Sequence, residues 1–154
     1  MLKKIGLGLL VMLVVLQFAR PARNESSAPS TNDISTAYNV PDDVHAVLNK
    51  ACMDCHSNNT RYPWYTNIQP VGLWMADHVK DGKDELNFSE FASYKKKKQA
   101  HKLEELVELV EESKMPLNSY TWMHKDAILT NEEKALVVNW AKALHQQIKS
   151  QVTE

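Results

Sequence analysis

The stretch Cys52-Met53-Asp54-Cys55-His56 constrains this chain more than any other part of its sequence. Its spacing, C-x-x-C-H, is the attachment signature of c-type haem. On a helical turn, residues three and four apart share one face. Both thiols can then reach the two vinyl groups of one porphyrin edge and form thioethers, while the same turn carries His56 under the iron as proximal axial ligand. Two rival readings of the motif fit less well. A thioredoxin-like dithiol sits at a strand-to-helix junction of a βαβ unit, and no alternating strand pattern stands out in this sequence. A zinc site needs a fourth ligand and usually a second Cys/His pair. The chain has two cysteines in all, too few for a disulfide-stapled scaffold.

The remaining patterning predicts an all-α protein. Pro41 suits a helix start, and Asp42 and Asp43 complement the helix dipole. Val44, Leu48 and Ala51 then share a face that leads into Cys52. A second helix is expected over Gly72–Val79, ending at Asp81-Gly82. In a third, Leu103, Leu106, Val107 and Val110 form an apolar stripe that stops before Met115-Pro116, since a residue preceding proline is pushed out of the helical region. Thr130 and Glu133 form a capping box, followed by the stripe Leu136, Trp140, Leu144 and Ile148. The expected architecture is a compact, cytochrome c-like helical domain around one covalently attached haem, spanning residues 41–154, which is enough chain for one modest core.

Residues 1–23 read as a signal-anchor, a transmembrane segment ahead of that domain. Lys3 and Lys4 precede an apolar run from Ile5 to Leu16, extended by Phe18 and Ala19. The run has the length of a signal-sequence core. Gln17-Phe18-Ala19-Arg20-Pro21 lacks small residues at cleavage spacing, which favours an uncleaved anchor over a removed signal. Residues 24–40, rich in Ser, Thr and Asn, read as a flexible polar linker. Covalent c-type haem is installed outside the cytoplasmic membrane. The expected location is therefore the inner membrane, with the haem domain in the periplasm; the alternative is a cleaved, soluble periplasmic form. A formal net charge of −1 excludes a nucleic-acid binder held by bulk charge.

The sixth iron ligand decides between electron transfer and ligand chemistry. Met115 is the leading candidate, because it lies in a proline-stiffened loop between two helices, well downstream of the motif. Met123, His124, His101 and His78 are the other candidates. Some of Trp64, Trp74, Trp122 and Trp140 are expected to line the haem pocket, since a porphyrin needs a large apolar wall. Tyr62, Tyr65, Tyr120 and Arg61 are candidates for the haem propionates.

The run from Cys52 through His56 to Arg61-Tyr62-Pro63-Trp64-Tyr65 resembles the bacterial haem-binding domain family of small monohaem c-type proteins. The similarity continues through Ile68-Gln69-Pro70-Val71, Trp74 with His78, and Leu86-Asn87-Phe88-Ser89. It reaches Met115-Pro116 with Tyr120, then His124, Ala127, Leu129, Glu133 and Trp140. It implies covalent haem on Cys52 and Cys55, His56 as an axial ligand, and an exported protein, often with an amino-terminal membrane anchor. A second proline often follows the Met-Pro pair in such proteins; Leu117 stands there in this chain. The functional expectation is an electron carrier rather than an enzyme, binding haem c and exchanging electrons with an unidentified periplasmic redox partner. The alternatives are a haem sensor or peroxidase-like protein with an open sixth site, and a binding module in which haem is purely structural.

Overall fold

Apolar stripes on two long helices build most of the core. The computed structural model describes residues 1–152. Its helices, in chain order, are α1 (Leu2–Leu16), α2 (Ile34–Ala37), α3 (Asp42–Ala51), α4 (Met53–His56), α5 (Val71–Glu85), α6 (Lys96–Glu111), α7 (Asn118–Met123) and α8 (Asn131–Val152). Single 3-10 turns lie at Trp64–Asn67, Phe88–Ser93 and Lys125–Ala127. Among the described residues there is no β-strand, and an isolated antiparallel bridge joins Glu25 to Asn59. The all-helical expectation is met.

Helices α6 and α8 pack along each other. Ala100, Leu103, Leu106 and Val110 of α6 are buried against Val137, Ala141, Leu144 and Ile148 of α8, in both cases at helical spacing. Leu136 and Trp140, expected in the α8 stripe, sit at the margin of the core. The capping box forms as expected. The Thr130 N–H donates to the Glu133 carboxylate at 2.9 Å, and the Glu133 N–H donates to Thr130 Oγ1 at 3.2 Å. Helix α3 adds Val44, Val47, Leu48 and Ala51, and the turn at 88–93 inserts the fully buried Phe88 and Phe91.

Two expectations need correction. Helix α5 does not end at Asp81-Gly82 but runs on to Glu85, with Gly82 inside it for a reason given below. The stretch read as a flexible linker is packed onto the domain. Ile34 and Tyr38 are buried in the main core, and the Tyr38 hydroxyl donates to the buried Gln99 side chain at 2.5 Å. These two side chains, together with the bonds of Ser30 and Asn32 to the Glu90 carboxylate, seat a segment whose composition is otherwise polar. Helix α1 contains no buried residue. Its 15 residues cover about 22 Å, against about 30 Å for a hydrocarbon core. Among the described residues no helix is long and apolar enough to cross a membrane.

Candidate haem-binding site

The motif occupies its own short turn. Helix α3 ends at Cys52, whose backbone (φ −124°, ψ −42°) breaks the helix. The amides of Cys55 and His56 then both donate to the Cys52 carbonyl, at 3.2 and 3.0 Å. Cys52, Cys55 and His56 all line one cavity of about 530 Å³, within the range of about 300–1,000 Å³ usual for cofactor sites. Its apolar wall includes Leu86, Phe88, Leu106, Leu109, Val110 and Val137.

The His56 ring is held in one tautomer. Its Nδ1 lies 2.8 Å from the Gly82 carbonyl and 2.9 Å from the Leu86 carbonyl. Carbonyl oxygens only accept, so Nδ1 carries the hydrogen and Nε2 keeps its lone pair. Burial pushes the His56 pKa down, against the opposing effect of the two carbonyls, so the ring is held neutral, the form that binds a metal. A backbone partner on the non-ligating nitrogen is how metal-binding histidines are usually oriented.

Gly82 makes that orientation possible. A Cβ there would lie 2.7 Å from the Cys55 carbonyl oxygen and 2.9 Å from the Cys55 Cβ. Backbone faces backbone at this crossing, so a side chain cannot be accommodated by a rotamer change. Burial raises the Cys52 thiol to about 12 and the Cys55 thiol to about 11. Burial of both sulfurs works against the thiolate form that a redox dithiol uses. Among the described residues no group of three or more His, Cys, Asp and Glu could hold a metal ion, which leaves the zinc reading without a ligand set.

Asp54, within the motif, is 5% exposed and fully engaged. Its carboxylate accepts from the Arg61 amide at 3.0 Å, the Arg61 Nε at 3.1 Å and the Tyr120 hydroxyl at 2.7 Å. The bond to Asp54 raises the Arg61 pKa, and burial followed by the same carboxylate raises that of Tyr120. This network fastens the motif turn to α7.

Met115 and Pro116 line the same cavity as His56. The chain leaves α6 through Ser113, which has left-handed backbone (φ 57°). The amides of Lys114 and Met115 then donate to the Leu109 carbonyl at 2.9 and 3.1 Å. His78 also reaches the cavity, its ring packed on Trp74 at 4.3 Å. His101 and His124 do not line it: His101 pairs with Glu105, and His124 stacks on Tyr120 and bonds the Tyr65 hydroxyl at 2.6 Å.

None of the four tryptophans lines the cavity, contrary to expectation. Leu, Val and Phe side chains from α6, α8 and the 88–93 turn form the wall instead. Of the propionate candidates only Tyr120 lines the cavity; Arg61 is committed to Asp54, and the Tyr62 hydroxyl accepts from the Asn24 amide at 2.6 Å. Lys102, not singled out in the sequence, reaches the rim with its side chain 12% exposed and paired to Glu85 and Glu105.

A helical domain that holds two thiols and a neutral, oriented imidazole at one apolar cavity is built as a haem protein. The chain belongs to the haem-binding domain family, whose model matches residues 11–143. No curated protein and no solved structure matches it. Haem is its cofactor.

Proposed function

We propose that the protein is an exported, membrane-tethered monohaem c-type cytochrome that carries electrons and is not an enzyme. One haem c is attached through Cys52 and Cys55, with His56 as proximal and Met115 as distal ligand. The observation that carries this reading is the convergence of both thiols, the free Nε2 of His56 and the Met115 side chain on one apolar cavity. The bound haem supplies one-electron chemistry. The residues around it exclude water and hold His56 in place. An axial thioether sets a higher reduction potential than a second imidazole does. Helix α1 serves as export signal and membrane anchor, holding the domain near its periplasmic redox partner.

Intact mass spectrometry of protein from cells competent in cytochrome maturation tests the attachment: the chain should carry one haem, and both sulfurs should resist alkylation. The ferric absorption spectrum tests the distal ligand. A weak thioether-to-iron charge-transfer band should be present and should vanish in Met115→Ala. A band that persists, or carbon monoxide binding by the native reduced protein, overturns the Met115 assignment.

A further inference from the structure

The exit of α1 is fastened to the domain at one buried side chain. Gln69, 3% exposed, holds it from several directions. The Gln69 amide donates to Gln17 Oε1 at 2.9 Å, the Gln17 side chain donates to the Gln69 carbonyl at 3.1 Å, and Gln69 Nε2 donates to the Ala19 carbonyl at 2.9 Å. Arg20 adds a bond to the Asn67 carbonyl at 2.8 Å. The loop receiving these bonds is itself stiff. Gly72 lets the start of α5 press against the 64–67 turn so closely that a Cβ would lie 2.2 Å from the Thr66 oxygen.

Around this suture the surface is unusually apolar. Trp64 is 73% exposed, Trp74 47%, Ile68 46% and Val71 37%. Val71 and Trp74, three residues apart, share a face of α5. None of these four lines the haem cavity. They form a collar next to the exit of a largely apolar helix that has no buried residue.

We infer that this collar of Trp64, Ile68, Val71 and Trp74 docks into the interfacial layer of the bilayer that receives α1, seating the haem domain in a fixed orientation. The inference rests on the reading of α1 as a membrane anchor. Length arithmetic supports it. The helix is about 8 Å shorter than the hydrocarbon core, and apolar faces lying in the interface sink about 5–10 Å. A rigidly joined collar that sinks by that amount takes up the shortfall. Tryptophan is enriched at this depth, where an apolar ring and a polar N–H are both accommodated. Arg20, exposed in the connection between α1 and the collar, fits the phosphate level of an anionic leaflet. Trp74 packs on His78, which lines the haem cavity. Docking therefore sets one rim of that cavity beside the membrane surface.

The test is photo-crosslinking of the full-length holoprotein in phosphatidylethanolamine–phosphatidylglycerol vesicles. The vesicles carry a phospholipid with a diazirine high on its acyl chain, and adducts are mapped by mass spectrometry. Lipid adducts are expected in α1 and in the 64–74 peptide, with α8 at background. In the variant Trp64→Ser/Ile68→Ser/Trp74→Ser, 64–74 adducts should fall to the α8 level while α1 adducts stay unchanged. Adducts in α1 without any in 64–74 overturn the docking and leave the anchor standing. Adducts in neither overturn both.

Discussion

The two sides of the cavity that carry His56 and Met115 are built in opposite ways. The His56 side is crowded and tied at every point: two carbonyls hold the ring, Gly82 lets α5 touch the motif turn, and buried Asp54 binds that turn to Arg61 and Tyr120. The Met115 side is a short loop between α6 and α7, with the Leu109 carbonyl as its backbone anchor. One side presents an imidazole whose direction is fixed by the fold itself. The other presents a flexible thioether that can adjust to a ring already in place. Substitutions on the first side should therefore disturb assembly, and substitutions on the second should retune a protein that still assembles.

Gly82→Val should have the largest effect. Gaining a side chain inside a helix relieves the glycine penalty of about 1 kcal/mol. Here that gain is outweighed, because the added atoms meet the backbone of Cys55, and overpacking costs about 1–3 kcal/mol or more. The shift also moves the carbonyl that orients His56. We expect little haem-bearing protein from maturation-competent cells, measured by haem stain on a denaturing gel. Wild-type yield and spectrum from this variant would break the distinction between a preset side and an adjustable one.

Asp54→Leu comes next. It leaves the Tyr120 hydroxyl and the Arg61 amide without their buried acceptor, at about 1–3 kcal/mol for an unsatisfied group. Asp54→Asn, which keeps an acceptor oxygen, should lose less. Denaturant unfolding of the holoproteins should rank wild type, Asn and Leu in that order. Equal midpoints would show that the network adds nothing to the motif turn.

The same contrast explains what could be read from the sequence. Cys52, Cys55 and His56, which the structure brings to one cavity, could be singled out because the C-x-x-C-H pattern lies within five consecutive residues. The α6 and α8 stripes and the Thr130–Glu133 cap were legible because helical period and capping are local. Gly82 was not. Its requirement comes from a crossing between α5 and α4, and in sequence the glycine resembles a helix end. The tryptophans misled for a related reason: a large apolar side chain suggests a pocket wall, but burial is decided by which faces meet, and Trp64 and Trp74 face outward. Ile34 and Tyr38 show the reverse, two core residues hidden in polar surroundings.

Met115→Leu sharpens the comparison from the loop side. The swap conserves volume and should cost less than about 1.5 kcal/mol. Haem should remain covalently bound, because the thioethers and His56 are untouched. The reduction potential should fall with loss of the thioether, as measured by redox titration. A variant that loses its haem altogether would place the loop on the same footing as the His56 side.

The smallest effect should come from the outer support of the His56 side. The Glu90 carboxylate accepts from Asn32 at 3.1 Å, Asn58 at 2.7 Å and Ser30 at 3.0 Å. It thereby joins the 30–32 segment to the chain just past the motif. The Asn32 bond, with help from Asn58 and Ser30, holds Glu90 below its ordinary value of 4.5. A carboxylate whose pKa is depressed by folding adds stability that is complete above its unfolded value. That stability is lost as pH falls through the folded value. For a partly exposed group the contribution should stay under about 1 kcal/mol. Hydrogen exchange should therefore show residues 30–38 losing protection as pH drops below 4.5, before the α6–α8 core does. Glu90→Gln should show the loosened 30–38 pattern already at neutral pH. Protection of this segment that stays level through the acid range, or is unchanged by Glu90→Gln, would mean that Ile34 and Tyr38 hold it by packing alone.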